Sequence, residues 1–259
     1  MSFREVLSKP FYNRYERRLE QEVRPGPIPK HIGIIMDGNR RYANEYLDSD
    51  IGEGHRLGEK KIESVMEWCL DLGVKYITLF AFSSENFKRD KEEVEFLMDL
   101  AETSFYQMAD NPKIHNHKVA IRALGNLEAL PEELNKAIDY AYERTKDYSD
   151  MVINICLAYG GRQEIIQAVK EISSKIQAGN LDVEDITEQM FSEHLYTGNL
   201  PDPDLILRTS GEVRVSNFLL WQLAYSELYF TDVYWPGFRR IDLLRAIRSY
   251  QQRNRRYGV

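Results

Sequence analysis

From Lys30 onward, short runs of β-branched and aromatic residues alternate with longer stretches whose apolar positions recur every three or four residues. The runs at 32–36, 76–82, 119–124, 152–157, 205–208 and 228–233 predict six strands. The 3.6-residue pattern predicts helices near 55–72, 91–110, 131–147, 161–178, 187–196 and 240–254. Several strand runs are continuously apolar rather than alternating, as expected of strands covered on both faces. This βα alternation implies one α/β domain, a central and mainly parallel six-stranded sheet with helices on both faces. No repeat, low-complexity tract or Pro/Gly-rich linker divides it. The first 28 residues differ. Phe11, Tyr12, Tyr15 and Leu19 share one helical stripe, Arg14, Arg17 and Arg18 lie elsewhere around it, and Pro25, Pro27 and Pro29 stop any helix. We read 1–28 as an amphipathic extension ahead of a main body at 29–259, either docked on that body or lying against a membrane surface.

Nearly every unusual polar cluster follows directly after a predicted strand. Asp37-Gly38-Asn39-Arg40-Arg41 follows the first, Ser83-Ser84-Glu85-Asn86 the second and Gly125-Asn126 the third. Tyr159-Gly160-Gly161-Arg162 follows the fourth and Arg208-Thr209-Ser210-Gly211 the fifth. Open parallel sheets bind ligands at the carboxyl ends of their strands, so these segments converge on one edge. In the first cluster, Gly38 permits close backbone approach, helix-start amides face outward, and Arg40 or Arg41 supplies a fork for phosphate oxygens. Asp37 would repel a bare diphosphate, which implies a cation such as Mg²⁺ between them. The alternative is that Asp37 only caps the helix. His55 begins the first long helix near the same edge and is either structural or functional. His115 and His117 share a polar loop without matching ligands nearby. The seven arginines from Arg239 to Arg256 read mostly as a solvated helix face.

Composition narrows the choice. The formal charge is −7, from 34 Lys and Arg against 41 Asp and Glu, which argues against a general nucleic-acid binder. Two cysteines, Cys69 and Cys156, lack metal-like spacing and read as buried thiols. No apolar run approaches the roughly 20 residues that span a bilayer, and the start lacks a signal-peptide core. A cytoplasmic protein, or one peripheral to a membrane, is expected.

Read together, HIGIIMDGNRRYA at 31–43, EGHRLG at 53–58, LFAFSSENFKR at 79–89, INICLAYGGRQEI at 153–165, DLILRTSGEVRVSNFLLWQLAYSELYF at 204–230 and RYG at 256–258 closely resemble the cis-prenyltransferases. These are the undecaprenyl and dehydrodolichyl diphosphate synthases, and the NRRYA and ENFKR wording is similar to the archaeal and eukaryotic branch. The resemblance implies condensation of isopentenyl diphosphate onto an allylic diphosphate, farnesyl or geranylgeranyl, giving a long Z-polyprenyl diphosphate for a glycosyl carrier lipid. It assigns Asp37 and Glu227 to Mg²⁺, with Asp37 promoting loss of diphosphate. Gly38, Asn39, Arg40 and Arg41 cradle the phosphates, Tyr42 stands where many relatives have Trp, and His55 lies beside the leaving group. Ser83, Ser84, Glu85, Asn86, Phe87 and Arg89 form a mobile segment over the site, Asn86 near the proton that is lost. Arg208, Arg214 and Ser216 bind isopentenyl diphosphate, and Arg256 with Gly258 reaches across a homodimer interface.

Such chemistry aligns two substrates and stabilises a departing anion. It also needs an apolar product channel, for which Val94, Phe96, Leu97, Leu100, Ala101 and Phe105 are candidates, with ordinary core packing as the alternative. The chain departs from the bacterial pattern at Arg40, where a Gly is frequent, and at Ile51, which aligns near a phosphate-binding Arg. Rival readings are a non-catalytic subunit of a heteromeric prenyltransferase, a same-fold transferase with another acceptor or a short product, and an unrelated phosphate-binding module.

Overall fold

A computed structural model of the chain describes residues 3–47 and 51–254. In chain order the elements are α1 (Phe3–Val23), β1 (His31–Ile35), α2 (Asn39–Tyr42, extended by a wider turn over Ala43–Leu47), α3 (Ile51–Leu72) and β2 (Tyr76–Phe80). Then come α4 (Lys91–Asp110), α5 (Pro112–Asn116), β3 (Val119–Leu124), α6 (Glu132–Thr145), β4 (Met151–Cys156) and α7 (Gly161–Gln177). The chain continues through α8 (Glu188–Glu193), β5 (Leu205–Arg208), β6 (Glu227–Phe230) and α9 (Arg240–Asn254). The six strands form one sheet in the order β3-β4-β2-β1-β5-β6, and every neighbouring pair is parallel.

Both faces of the sheet are covered, which is why its strands read as unbroken apolar runs. Neighbouring residues on a strand point to opposite faces. Accordingly Ile34, Ile155 and Leu207 enter the large core shared with α3, α4, α6 and α9. Their neighbours Ile35, Cys156 and Ile206 join a second cluster with Tyr159, Phe218 and Leu219. Both cysteines are buried, and burial pushes the Cys69 thiol up to about 12.

Element ends shift for local reasons. The last strand is Glu227–Phe230 rather than 228–233, because its partner β5 offers only four residues, from Leu205 opposite Glu227 to Arg208 opposite Phe230. Helix α3 starts at Ile51 rather than 55, running through two glycines that resemble breakers. Gly54 is needed there: a Cβ on it would lie 2.3 Å from the Asn39 carbonyl oxygen of α2. Helix α8 is shorter than 187–196, with the Thr187 hydroxyl accepting from the Met190 amide as its cap.

The N-terminal helix lies on the body. Leu19 and Val23 of α1 are buried in the main core, and Gln251 of α9 donates to the carbonyls of Val23 and Pro27 where α1 ends. This corrects the reading of the late arginines as a solvated face. Arg240 pairs with Glu16, Glu20 and Asp71, Arg248 with Glu22, and Arg245 lies over Tyr15. Arg239 and Arg245 hold Asp242, and Arg253 pairs with Glu227. No helix among the described residues is long and apolar enough to cross a membrane.

Glu20 makes the docking sensitive to pH. The Arg240 hydrogen bond, reinforced by Arg24 against the opposing effect of burial, lowers its carboxyl to about 2. A folded value below the unfolded one means that the unfolded chain binds more protons as pH falls. The stabilisation is therefore present above the ordinary carboxylate value of 4.5 and fades as pH drops toward 2. Glu20→Gln is expected to cost roughly 1 kcal/mol near neutral pH, since the network is half exposed. In thermal melts the gap between variant and wild type should shrink from about pH 6 to about pH 3. A gap that does not change with pH means that packing, not charge, holds α1.

Candidate functional site

The loops leaving β1, β2, β4 and β5 meet at the carboxyl edge of the sheet. The Ser84 amide donates to the Tyr159 carbonyl at 2.9 Å, joining the β2 and β4 loops. Asn217 joins them to the loop after β5: its carbonyl accepts from Gly161 at 2.7 Å, and its side chain accepts from the Arg162 amide at 2.9 Å and donates to Glu85 at 3.1 Å. Gly160 stands where they cross, and a Cβ there would meet Ser84, Gln163 and Asn217 within 3 Å. Ala158, Ser210, Ser216, Asn217 and Leu219 all hold positive φ in these loops. Such backbone strain persists where surrounding contacts over-determine it, typically at ligand sites.

Asp37 sits at the centre of the polar residues. Gly38, with φ 104°, occupies the helix-cap position, and among the described residues no side chain caps α2. The capping alternative for Asp37 therefore falls. One carboxylate oxygen instead accepts from Arg208 at 2.8 Å, and the other lies 3.3 Å from Arg41. Burial alone would raise the Asp37 carboxyl, but hydrogen bonds from Arg208 and Ser210 and the charge of Arg41 outweigh it and lower the value. The Arg208 side chain is buried and also donates to the Arg214 carbonyl and the Ser216 hydroxyl, while its Nε finds no partner among the described residues. Arg214 is exposed and pairs with Glu212, which also takes Arg41.

A second cluster forms around Glu93, which sequence reasoning missed. Its carboxylate lies 3.0 Å from Arg89, 3.6 Å from Arg40 and 3.3 Å from His55 Nε2. The available signal was the Arg89–Glu93 spacing of four across the start of α4, which resembles an ordinary surface pair. Burial lowers the His55 value, and Glu93 only partly opposes it, so the ring is neutral at pH 7. Asn39 reaches His55 Nδ1 at 3.5 Å, and its buried Oδ1 finds no hydrogen-bond partner among the described residues.

These clusters open onto a two-part cavity. A polar part is lined by Asp37, Gly38, Arg40, Arg41, Asn44 and Arg89. An apolar part runs between α3 and α4, past Ile62, Leu100, Phe105 and Met108. Met36, Asn39, His55, Ala81 and Leu97 line both parts. The arrangement suits an anionic head joined to a hydrocarbon tail, with the join beside His55.

Among the channel candidates, Leu97, Leu100, Ala101 and Phe105 line the apolar part. Val94 does not: it faces a separate groove with Phe87 and Met98. Phe96 lies under the Arg56 guanidinium instead. Asn86 accepts from the Ser83 amide at 3.0 Å, pinning the start of the short turn Ser84–Lys88. Tyr42 packs at a tilt against Tyr46, outside the polar lining. Glu227 is not gathered with Asp37 within one chain: it opens β6 beside Leu205, while Asp37 follows the far end of β1. Arg256 and Gly258 lie outside the described residues.

The comparisons with known proteins agree with this architecture. The chain matches the prenyltransferase family model, described as undecaprenyl diphosphate synthase, over residues 35–258. It is 56% identical over 253 residues to a tritrans,polycis-undecaprenyl-diphosphate synthase (geranylgeranyl-diphosphate specific) of Methanopyrus kandleri, spanning 98% of this chain and 93% of that one. Its counterpart of the same description in Methanocaldococcus jannaschii is 54% identical over 94% of this chain and 88% of its own. Among solved structures, a lavandulyl diphosphate synthase from Lavandula x intermedia in complex with dimethylallyl diphosphate superposes with TM-score 0.81 at 36% identity, covering 86% of this chain and 95% of that one. A probable undecaprenyl diphosphate synthase of Campylobacter jejuni gives 0.72 at 32% identity, over 90% of this chain and all of its own.

Proposed function

The chain belongs to the undecaprenyl diphosphate synthase family, the cis-prenyltransferases, and from that premise we propose that it extends geranylgeranyl diphosphate with isopentenyl diphosphate units into a long Z-polyprenyl diphosphate, the precursor of a glycosyl carrier lipid. It is a cis-type polyprenyl diphosphate synthase; the starter, the product length and the carrier role are the proposal. The archaeal relatives' specificity for geranylgeranyl diphosphate supports that starter over farnesyl. The observation that carries the reading is the division of Asp37 between two arginine sets: one oxygen toward Arg41 on the cavity side, the other toward Arg208 and the Arg214–Ser216 loop. Two diphosphates held on either side of one carboxylate is what a condensation of two anionic substrates requires.

In this reading Arg40, Arg41 and Arg89 bind the allylic diphosphate, whose tail enters the apolar part. Arg208, Arg214 and Ser216 bind isopentenyl diphosphate and turn its C4 toward allylic C1. The C1–oxygen bond breaks, diphosphate leaves, C4 bonds to C1, and a proton is lost to restore a double bond. His55, at the join of the two parts, lies beside the leaving group with its Nε2 on Glu93, and Glu93 holds His55, Arg40 and Arg89 in place. Asn86 lies on the segment that closes over the pair. Asp37 fits Mg²⁺ held jointly with substrate phosphates: it is a half-buried carboxylate lining the polar cavity, kept ionised, and Mg²⁺ commonly takes one or two carboxylates plus phosphate oxygens. When bound, the ion neutralises charge on the departing diphosphate. Glu227 joins it only through a rearrangement or a second chain, and a homodimer, with Arg256 and Gly258 reaching across, is part of the proposal.

Incubation with labelled isopentenyl diphosphate, Mg²⁺ and a panel of allylic diphosphates tests the reading. Label is expected in long products, faster from geranylgeranyl than from farnesyl diphosphate, and a chelator should stop it. No incorporation from any starter, or only single-step or branched products, overturns it.

A further inference from the structure

Arg41 lines the polar part of the cavity, and its guanidinium lies over the ring of Tyr234, 5.6 Å from the ring centre. Tyr234 does not line that part itself. It belongs to the segment between β6 and α9, and the backbone is tied on both sides of it. The Val233 carbonyl accepts from the Ser210 amide at 2.9 Å, and the Trp235 amide donates to the Asp37 carbonyl at 3.0 Å. The ring also closes on the phosphate loop. A Cβ on Gly38 would lie 2.7 Å from it, and the Tyr234 hydroxyl donates at 2.9 Å to Glu45, in the turn that extends α2. Arg41 meets other partners through its N–H groups: the Ser210 hydroxyl at 2.7 Å and carbonyl at 3.3 Å, Glu212 at 3.2 Å and Asp37 at 3.3 Å. Guanidinium N–H groups lie in one plane, so these contacts hold its edge, and Tyr234 holds its face.

We propose that Tyr234 is a positioning residue for the allylic diphosphate, its ring fixing the plane of the Arg41 guanidinium before the substrate arrives; this rests on the reading in which Arg41 binds that diphosphate. The Arg41 side chain is 43% exposed, so edge contacts alone leave its plane free to swing, and ordering it on binding lowers affinity. The ring removes that freedom in advance. It rides on the same backbone that carries Asp37 and Ser210, so the fork is set relative to both. An exposed contact between a cation and a ring corresponds to roughly a two- to fivefold change in affinity. The effect belongs to one substrate only, because Arg208, Arg214 and Ser216 meet the other oxygen of Asp37 and its side of the site.

The experiment measures the Kd of geranylgeranyl diphosphate by calorimetry, in the absence of the second substrate, for wild type, Tyr234→Phe, Tyr234→Leu, Arg41→Ala and the Arg41→Ala, Tyr234→Leu double variant. Steady-state kinetics for both substrates accompany it for wild type and the two Tyr234 variants. Tyr234→Leu keeps apolar bulk beside Gly38 but has no aromatic face. It is expected to raise the allylic Kd and KM roughly two- to fivefold, with kcat and the KM for isopentenyl diphosphate unchanged. Tyr234→Phe keeps the ring and loses only the Glu45 contact, so wild-type values are expected. In the Arg41→Ala background Tyr234→Leu should add nothing, because a residue that acts through Arg41 has no effect once Arg41 is gone. An unmoved allylic Kd in Tyr234→Leu, an equal weakening of both substrates, a loss in Tyr234→Phe as large as in Tyr234→Leu, or a full effect in the Arg41→Ala background overturns the proposal. Thermal melts establish folding; if Tyr234→Leu does not fold, Tyr234→Met gives the same reading with a more adaptable apolar side chain. A wild type that neither binds geranylgeranyl diphosphate nor joins units refutes the synthase reading together with the positioning role. An active wild type with any of the overturning results refutes the positioning role alone.

Discussion

Asp37→Asn is expected to abolish turnover while leaving a folded protein. Asn keeps the shape and one acceptor but loses the charge that faces Arg41 and Arg208. Losing one preorganised electrostatic element typically costs on the order of 10²–10³ in rate. Losing a metal ligand with it should cost more. The fold should suffer much less, because Arg208 keeps the Arg214 carbonyl and the Ser216 hydroxyl, and Arg41 keeps Glu212. A loss of about 1 kcal/mol is expected for one weakened charge-assisted contact at a half-exposed position. The measurement is kcat at saturating substrates and Mg²⁺, beside a thermal melt, for wild type, Asn and Ala. Because its neighbours lower the Asp37 carboxyl, the group stays ionised through neutral and mildly acid pH, and its stabilising contribution fades only as pH falls below the usual carboxylate range. An Asn variant with near-normal kcat removes Asp37 from the chemistry and leaves it as a buttress for Arg208.

What the chain disclosed in advance follows from where its information is local. The position of Asp37 was legible because a strand and its following loop are neighbours in sequence, and parallel sheets gather such loops at one edge. The same rule already separates Glu227, since a residue that begins a strand lies at the opposite edge; the family resemblance overrode that geometry, and in one chain the geometry holds. Glu93 was hidden for a different reason. An acid in the first turn of α4 looks like a favourable helix-dipole residue. Its importance appears only when Arg40 from α2, Arg89 from the preceding loop and His55 from α3 arrive beside it. Likewise, Arg240 reads as solvated until α1, more than 200 residues earlier, supplies Glu16 and Glu20.

Arg208→Ala and Arg214→Ala are expected to weaken isopentenyl diphosphate alike yet differ sharply in stability. Arg208 has a side chain only 5% exposed, and truncating it leaves an Asp37 oxygen without its 2.8 Å partner. Removing one member of a buried pair costs about 3–5 kcal/mol, but Asp37 is part-exposed and keeps Arg41, so about 3 kcal/mol is the better expectation. For a domain of this size that corresponds to a melting temperature lower by roughly 6–12 °C. Arg214 has a side chain 61% exposed and among the described residues pairs with Glu212, an interaction worth roughly 0.2–1 kcal/mol. Its loss should barely move the melt. On the substrate side each variant forfeits a charge-assisted contact, about 1.5–3 kcal/mol, so the KM for isopentenyl diphosphate should rise roughly tenfold to a hundredfold. The allylic KM should hold in Arg214→Ala, because Arg40, Arg41 and Arg89 line the other part of the site. In Arg208→Ala it should drift upward, since Asp37 is then free to turn wholly toward Arg41. Steady-state kinetics for both substrates, with melts of both variants, decide the matter. Equal weakening of the two substrates in Arg214→Ala removes the division of the site into two diphosphate subsites on which the condensation geometry depends.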